Sequence, residues 1–155
     1  ILVVGLTWVG FGCAAILGAA LTLPIVASSR LKQFALAASL GSGAVGAWVA
    51  GMGTSESAII GALLVGLGIA ATPTIVSACT RDRCSVADYP KIFSLATAAL
   101  GIGQLIGPVA GGALADRFGT GVVPFFAAAC YGVATLLALA DSLSSRAYPT
   151  RRRAA

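Results

Sequence analysis

Charge is scarce in this sequence of 155 residues, and histidine is absent. Lysine and arginine contribute 10 residues, aspartate and glutamate contribute 5, and charged residues make up 10% of the chain. A soluble domain carries roughly 25% charged residues because its surface faces water. Hydrophobic residues reach 58% here, and the mean hydropathy is +0.97. The composition therefore excludes a water-facing surface for most of the chain and predicts an integral membrane protein.

Groups that carry catalysis or bind metals are equally scarce. The sequence has no histidine base, no G-x-S-x-G nucleophile turn and no carboxylate pair facing a common site, so we expect no enzyme. Cys13 and Cys130 fall in apolar segments, where thiols act as small packing groups. Cys79 and Cys84 have no second cysteine pair or histidine nearby, so no metal site and no other cofactor is expected.

Long apolar stretches are what the sequence has in abundance. Five of them approach the length of about 20 residues that crosses a bilayer; they are residues 1–27, 34–53, 57–78, 92–115 and 122–140. None has a charged residue in its interior, so these spans supply no proton relay or ion site. We expect one all-α transmembrane domain over residues 1–141, followed by a basic tail over residues 142–155. The first span is too long for a cleavable signal peptide and no methionine begins the chain, so we expect a missing N-terminal part.

The few charges present predict the orientation. Five spans place alternate connections on opposite sides of the lipid bilayer. One side receives nine basic residues, namely Arg30, Lys32, Arg81, Arg83, Lys91, Arg146, Arg151, Arg152 and Arg153. The other side receives only Arg117, so the positive-inside rule places the first side, with the C-terminus, in the cytoplasm. The basic runs lack interleaved aromatic residues, so no nucleic-acid partner is expected.

Glycine is plentiful, with 20 residues. Helices in lipid associate where small residues let their backbones approach closely. Two rows of small residues recur at every fourth position: Ser39, Gly43, Ala47 and Gly51 in the second span, and Gly103, Gly107 and Gly111 in the fourth. Both rows predict close helix packing.

Two prolines interrupt the spans and mark candidate polar positions. Pro108 removes the backbone donor for the carbonyl of Gln104, the one amide side chain deep in a span. We therefore expect Gln104 to line a substrate path. Thr72 and Thr74 beside Pro73 are second candidates, although threonine in a helix more often bonds to its own backbone.

The stretch GIGQLIGPVAGGALADRFG at residues 101–119 carries a family resemblance. It resembles the G-x-G-Q-x-x-G-P-x-x-x-G-x-L-A-D-R-x-G run of major facilitator superfamily transporters, above all their YbfB-like group. The matching residues are Gly101, Gly103, Gln104, Gly107, Pro108, Gly112, Leu114, Ala115, Asp116, Arg117 and Gly119. No ribose-binding acid follows at the usual distance, so these glycines do not predict a dinucleotide cradle.

The resemblance implies a twelve-span fold with both ends cytoplasmic, in which these five spans are helices eight to twelve of the C-terminal half. The third span would line the central path, the first and fourth would face the absent N-terminal half, and the second and fifth would be outer scaffold. One departure concerns residues 24–33, PIVASSRLKQ. They keep Arg30 and Lys32 but lack the aspartate and glycine of the family's cytoplasmic G-x-L-x-D-R-x-G-R-R loop.

These features lead to one function and two alternatives. The leading hypothesis is the C-terminal part of a secondary transporter that moves a small organic solute across the cytoplasmic membrane by alternating access. Gly103, Gly107, Pro108 and Gly111 would let the fourth helix bend or slide, as Pro73 would for the third. The first alternative is a non-transporting membrane scaffold or a degenerate transporter relic, which the lost loop motif favours. An integral-membrane enzyme would need catalytic groups in the missing part.

Overall fold

Five long α-helices make up nearly all of the structure, a computed structural model that describes residues 2–27 and 31–147. They are α1 (Leu2–Ala27), α2 (Lys32–Ala50), α3 (Ser55–Arg83), α4 (Tyr89–Phe118) and α5 (Val123–Ala147). A single 3-10 turn, Thr120–Val122, separates α4 from α5, and no strand occurs in the described residues. Each helix is long and apolar enough to cross a membrane. The expected all-α membrane fold is confirmed.

The described ranges leave out some predicted features. Arg30 and residues 148–155, which hold Arg151, Arg152 and Arg153 of the predicted tail, lie outside them. α5 continues to Ala147, past the predicted end of the fifth span. α3 continues to Arg83, and Lys32 is already the first residue of α2. Charged residues expected in connections thus belong to helix ends, where they can reach neighbouring helices.

Local sequence explains where α2 gives way to α3. Gly53 has φ +80°, a conformation that costs glycine little because it has no Cβ. Thr54 then caps α3: its Oγ1 accepts from the Ser57 amide at 3.1 Å, and Ser57 Oγ accepts from the Thr54 amide at 3.1 Å. This reciprocal pair satisfies two of the helix's free amide donors. The connection therefore stays short and α2 and α3 run antiparallel as neighbours.

The helices pack in the order α1, α3, α2 and α5. Glycine makes the inner contacts possible, because a Cβ on Gly18 or Gly66 would collide with the backbone of Leu67 or Phe11 across the α1–α3 contact. Small side chains likewise fill the α2–α3 contact. The core consists mostly of alanine, with Ala14, Ala37, Ala47, Ala71, Ile75, Ala78 and Ala128 buried. Close backbone approach thus replaces the large apolar side chains of a soluble core.

The small residues of α2 serve two neighbours. Ser39, Gly43 and Ala47 are buried. Ser39 lies against α3, whereas a Cβ on Gly43 or Gly51 would meet the ring of Tyr131 or Phe125 on α5. The expected packing surface on the second span is therefore confirmed, and it joins α2 to both α3 and α5.

α4 stands apart from this four-helix body. Gly111 is its only buried residue. Its first turn is tied to α3 by a hydrogen bond of 2.9 Å between Ser77 Oγ and Tyr89 Oη. Near its other end, a Cβ on Gly111 would lie 3.6 Å from Val123 of α5. α4 is thus attached near its two ends.

Candidate functional site

α4 has two unlike faces. One carries four large apolar side chains that are 57–74% exposed, namely Ile102, Leu105, Ile106 and Val109. The other, called here the small-residue face, consists of Gly103, Gln104, Gly107, Pro108 and Gly111. Spacings of three and four residues place each set on one side of the helix. The first face suits contact with lipid, and the second suits contact with protein or solute.

An apolar groove of about 840 Å³ runs beside the small-residue face. It separates α4 from α5 and α2. Its walls include Leu40, Leu100, Gly103, Gly107, Pro108, Gly111, Phe126 and Tyr131. A Cβ added to Gly103 or Gly107 would have no other atom within 4 Å. Among the described residues no helix packs closely on this part of α4, so the packing role expected for this glycine row stays a prediction.

Gln104 lies on the small-residue face and is exposed. Pro108 follows it by one helical turn and has no amide hydrogen to donate to the Gln104 carbonyl. An amide side chain and a carbonyl without its helical donor therefore lie at the same depth of α4. This position offers both donors and acceptors to a polar solute.

Thr72 and Thr74 lie on different sides of α3. Thr72 Oγ1 donates to the Gly68 carbonyl at 2.8 Å and lies 3.1 Å from Ser39 Oγ of α2. Thr74 Oγ1 donates to the Ala70 carbonyl at 3.4 Å, and Pro73 between them is exposed. Thr72 thus sits in the α2–α3 contact. Within the described residues no hydrogen bond joins either threonine to Gln104.

Sequence reasoning missed a cluster of charges at the end of the bundle that carries the α3–α4 turn. Lys32 Nζ donates to Asp82 Oδ2 at 2.5 Å, and Arg83 donates to both carboxylate oxygens of Asp141 at 3.1 and 2.6 Å. These four residues are called here the charge cluster. In the sequence, Lys32 and Arg83 serve as orientation signals, and Lys32 also as a retained position of the family's loop, but neither residue is predicted there to form an ion pair. The ion pairs could have been predicted from one sequence feature, namely that Asp82 and Asp141 fall on the same predicted side of the membrane as Lys32 and Arg83.

A small pocket of about 290 Å³ adjoins the charge cluster. Its polar wall is formed by Gln33, Cys79, Thr80, Arg83, Cys84 and Asp141. The four cysteines are free thiols. No group of three or more His, Cys, Asp or Glu side chains that could hold a metal ion occurs in the part of the chain that the structure describes. Cys79 and Cys84 share a pocket without completing a metal ligand set.

Comparison with known proteins decides the family. Residues 1–140 match the family model described as uncharacterised MFS-type transporter YbfB. The chain belongs to this family. The resemblance drawn from residues 101–119 is therefore confirmed, and five apolar helices suit a transmembrane protein of this transport superfamily. The family is one of transporters and not a class of enzymes. No curated protein and no solved structure matches the chain significantly.

Proposed function

We propose that the chain is the C-terminal part of a secondary active transporter that moves a small organic solute across the cytoplasmic membrane by alternating access. The observation that carries this proposal is the exposed small-residue face of α4. A polar side chain, a proline and a row of glycines are unfavourable on a helix surface that faces lipid. The same residues, here Gln104, Pro108 and the glycines, are typical of a surface that faces another helix or a solute path. Major facilitator transporters have two six-helix halves around a central path.

The proposed arrangement assigns each helix a part. α1, α3, α2 and α5 form the packed body of the half, and α4 lies beside it with its small-residue face toward the path and the missing N-terminal half. α1 faces the same missing half. Its exposed surface, which includes Trp8 at 69% and Ile16 at 73%, leaves room for such a contact or for lipid.

The residues proposed to meet the solute are polar groups within the spans. Gln104 is the first candidate, because it lies on the small-residue face beside the carbonyl released by Pro108. Thr74 and Thr72 are second candidates on α3, next to Pro73. Gly103, Gly107 and Gly111 would let α4 approach a neighbouring helix and bend at Pro108 as the path opens and closes.

The proposed orientation places the charge cluster and the C-terminal tail in the cytoplasm. Arg81 and Lys91 lie at the same end of the bundle and are exposed. The other end holds Trp48 packed edge-on against Phe125, with ring centroids 5.1 Å apart. Cations on the inner side and aromatic rings at the boundary are what membrane insertion favours.

A transport assay on the full-length protein tests this function. Uptake and efflux of a panel of small organic solutes would be measured in proteoliposomes, with and without a proton gradient. We expect at least one solute to move and Gly107→Leu to abolish its transport, because leucine fills the groove that α4 must close. The matched control is Gly132→Leu on α5, where a Cβ also has open space but lies off the groove.

Two outcomes of this assay would contradict the proposed function. Normal transport by a well-inserted Gly107→Leu protein would remove the proposed role of the glycine row. No movement of any solute by a correctly inserted wild-type protein would favour the alternative, a non-transporting scaffold or transporter relic. That alternative rests on the departure at residues 24–33, where the family's loop motif is replaced by PIVASSRLKQ.

A further inference from the structure

The charge cluster joins three helices through two neighbouring residues of α3. Asp82 and Arg83 are adjacent, so their side chains leave the helix about 100° apart. Asp82 meets Lys32 at the start of α2, and Arg83 meets Asp141 on α5. The order of signs on α3 is therefore negative then positive, and the side chains that meet them from α2 and α5 carry the opposite signs.

The attraction within these two ion pairs adds little net stability to the bundle. The Lys32 side chain is only 7% exposed, and removing a charge from water opposes the gain from pairing. The Arg83 and Asp141 side chains are 46% and 50% exposed, which weakens their attraction through solvent screening. Apolar residues of similar size would hold such helix ends together about as well.

Packing does not fix the placement of α5 relative to α3 at this end. α3 and α5 have no Cα atoms within 8 Å of each other among the described residues, so Arg83 and Asp141 link two helices whose backbones do not touch. The row of small residues on α2 contacts two different helices, since Ser39 lies against α3 whereas Gly43 and Gly51 lie against α5. Glycine contacts thus bring helices together without fully specifying which faces meet.

We propose that the charge cluster specifies how α2 and α5 are placed around the end of α3 during assembly. In the native placement both contacts join opposite charges. Moving α2 toward Arg83 brings Lys32 to a like charge, and moving α5 toward Asp82 brings Asp141 to a like charge. Repulsion opposes both misplacements, more strongly at Lys32, whose side chain is only 7% exposed, and less strongly at Asp141, whose side chain is half exposed. The two ion pairs therefore act mainly by making the wrong helix placements unfavourable.

Disulfide cross-linking between α2 and α3 measures the placement of α2 directly. The full-length protein would carry Ser39→Cys and Thr72→Cys, since the two Oγ atoms lie 3.1 Å apart, and its native Cys13, Cys79, Cys84 and Cys130 would be replaced by serine. The reversed variant adds Asp82→Arg and Arg83→Asp. The restored variant adds Lys32→Asp and Asp141→Arg to those two. Both keep the net charge of the native protein, so the orientation signal is unchanged.

A neutral variant separates exclusion from attraction. It carries Lys32→Gln, Asp82→Asn, Arg83→Gln and Asp141→Asn. We expect the native, restored and neutral proteins to cross-link in native membranes. The reversed protein should lose about fivefold or more of its cross-linked fraction, or be degraded while the restored protein accumulates.

Three results would overturn the proposal. Cross-linking of the reversed protein at the native level shows that charge order does not matter. Loss in both the reversed and restored proteins shows that the individual residues matter, and not their complementarity. Loss in the neutral protein equal to that in the reversed one shows that the pairs act by attraction.

Discussion

Ser39 Oγ and Thr72 Oγ1 lie 3.1 Å apart in the contact between α2 and α3. Each hydroxyl also bonds to its own helix, Ser39 to the Leu36 carbonyl at 2.9 Å and Thr72 to the Gly68 carbonyl at 2.8 Å. A hydroxyl has one hydrogen to donate, and both hydroxyls already direct theirs at a carbonyl of their own helix. The bond between the helices must therefore share one of these two hydrogens. The two helices are therefore joined here mainly by close packing, with a modest polar contribution.

This geometry predicts a small effect of removing the Thr72 hydroxyl. Thr72→Val keeps the shape of the side chain and should lower the free energy of unfolding by about 0.6 kcal/mol, the average for hydrogen bonds between membrane helices. Equilibrium unfolding in mixed detergent measures it. Thr97→Val is the control, since among the described residues Thr97 bonds to the Phe93 carbonyl of its own helix and to no other helix. A loss in solute affinity from Thr72→Val without a stability change would instead point to a direct contact with solute.

Two glycines should respond oppositely to alanine. A Cβ at Gly61 would lie 2.5 Å from the Gly46 carbonyl oxygen and 2.7 Å from Ala50 Cβ. Gly61→Ala should therefore destabilise the bundle by about 1–3 kcal/mol through overpacking. Gly107→Ala meets open space and should leave stability unchanged or slightly raised. Thermal unfolding of the two purified variants compares them, and equal losses would contradict the helix order described above.

The Lys32–Asp82 pair predicts an asymmetry between its two single mutants. Asp82→Asn removes the carboxylate partner of Lys32, whose side chain is only 7% exposed, and should cost about 3–5 kcal/mol. Lys32→Met leaves a carboxylate that is 41% exposed, which water can solvate, so its cost should be about 1 kcal/mol. Unfolding in detergent at neutral pH gives both values. Similar losses for the two would mean that Lys32 is better solvated than its 7% exposure indicates.

Gln104 is predicted to affect transport without affecting folding. Gln104→Leu removes the one amide of the small-residue face and should lower uptake at least about tenfold, the effect of losing one well-placed polar contact of roughly 1.4 kcal/mol. The amount of the variant protein in the membrane and its unfolding temperature should equal those of the wild-type protein, because the Gln104 side chain is exposed. Leu105→Ala on the lipid face of α4 is the matched control. Unchanged uptake by Gln104→Leu would exclude Gln104 from the path.

The proposed orientation can be tested by fusing reporters to the two ends of α5. A fluorescent protein after residue 155 should fold in the cytoplasm and fluoresce, and alkaline phosphatase at the same point should be inactive. Phosphatase inserted after Gly121, between α4 and α5, should be active because that turn lies outside. The opposite pattern would overturn the positive-inside assignment of the nine basic residues.

Much of the fold was readable from local sequence. All five helices can be found from the length of the apolar stretches, because crossing a bilayer takes about 20 residues. Within the bilayer the backbone groups must be hydrogen-bonded inside the segment, so these stretches are helical. The small residues at every fourth position of α2 correctly predicted a packing surface. The same pattern on α4 predicted close packing that the described helices do not supply at Gly103 and Gly107. Spacing identifies a face, but only the positions of other helices decide whether that face is covered.

The candidate site shows the same division. Gln104 and Pro108 could be chosen because a polar group and a helix-breaking residue stand out in an apolar span. Thr72 and Thr74 looked equivalent in sequence, yet Thr72 lies against Ser39 while Thr74 does not. A helix turns by about 100° per residue, so two positions two residues apart face nearly opposite ways. Their surroundings depend on which neighbour each side meets.

The sequence by itself determined the membrane class, the helical spans, the family motif and a prediction of orientation, since these depend on composition and on short-range spacing. Tertiary structure alone decided the order α1, α3, α2, α5, the open groove beside α4 and the pairing of Lys32 with Asp82 and Arg83 with Asp141. The residues of those pairs are 50 and 58 positions apart in the chain. Contacts at such separations follow from how whole helices pack, which no local pattern encodes.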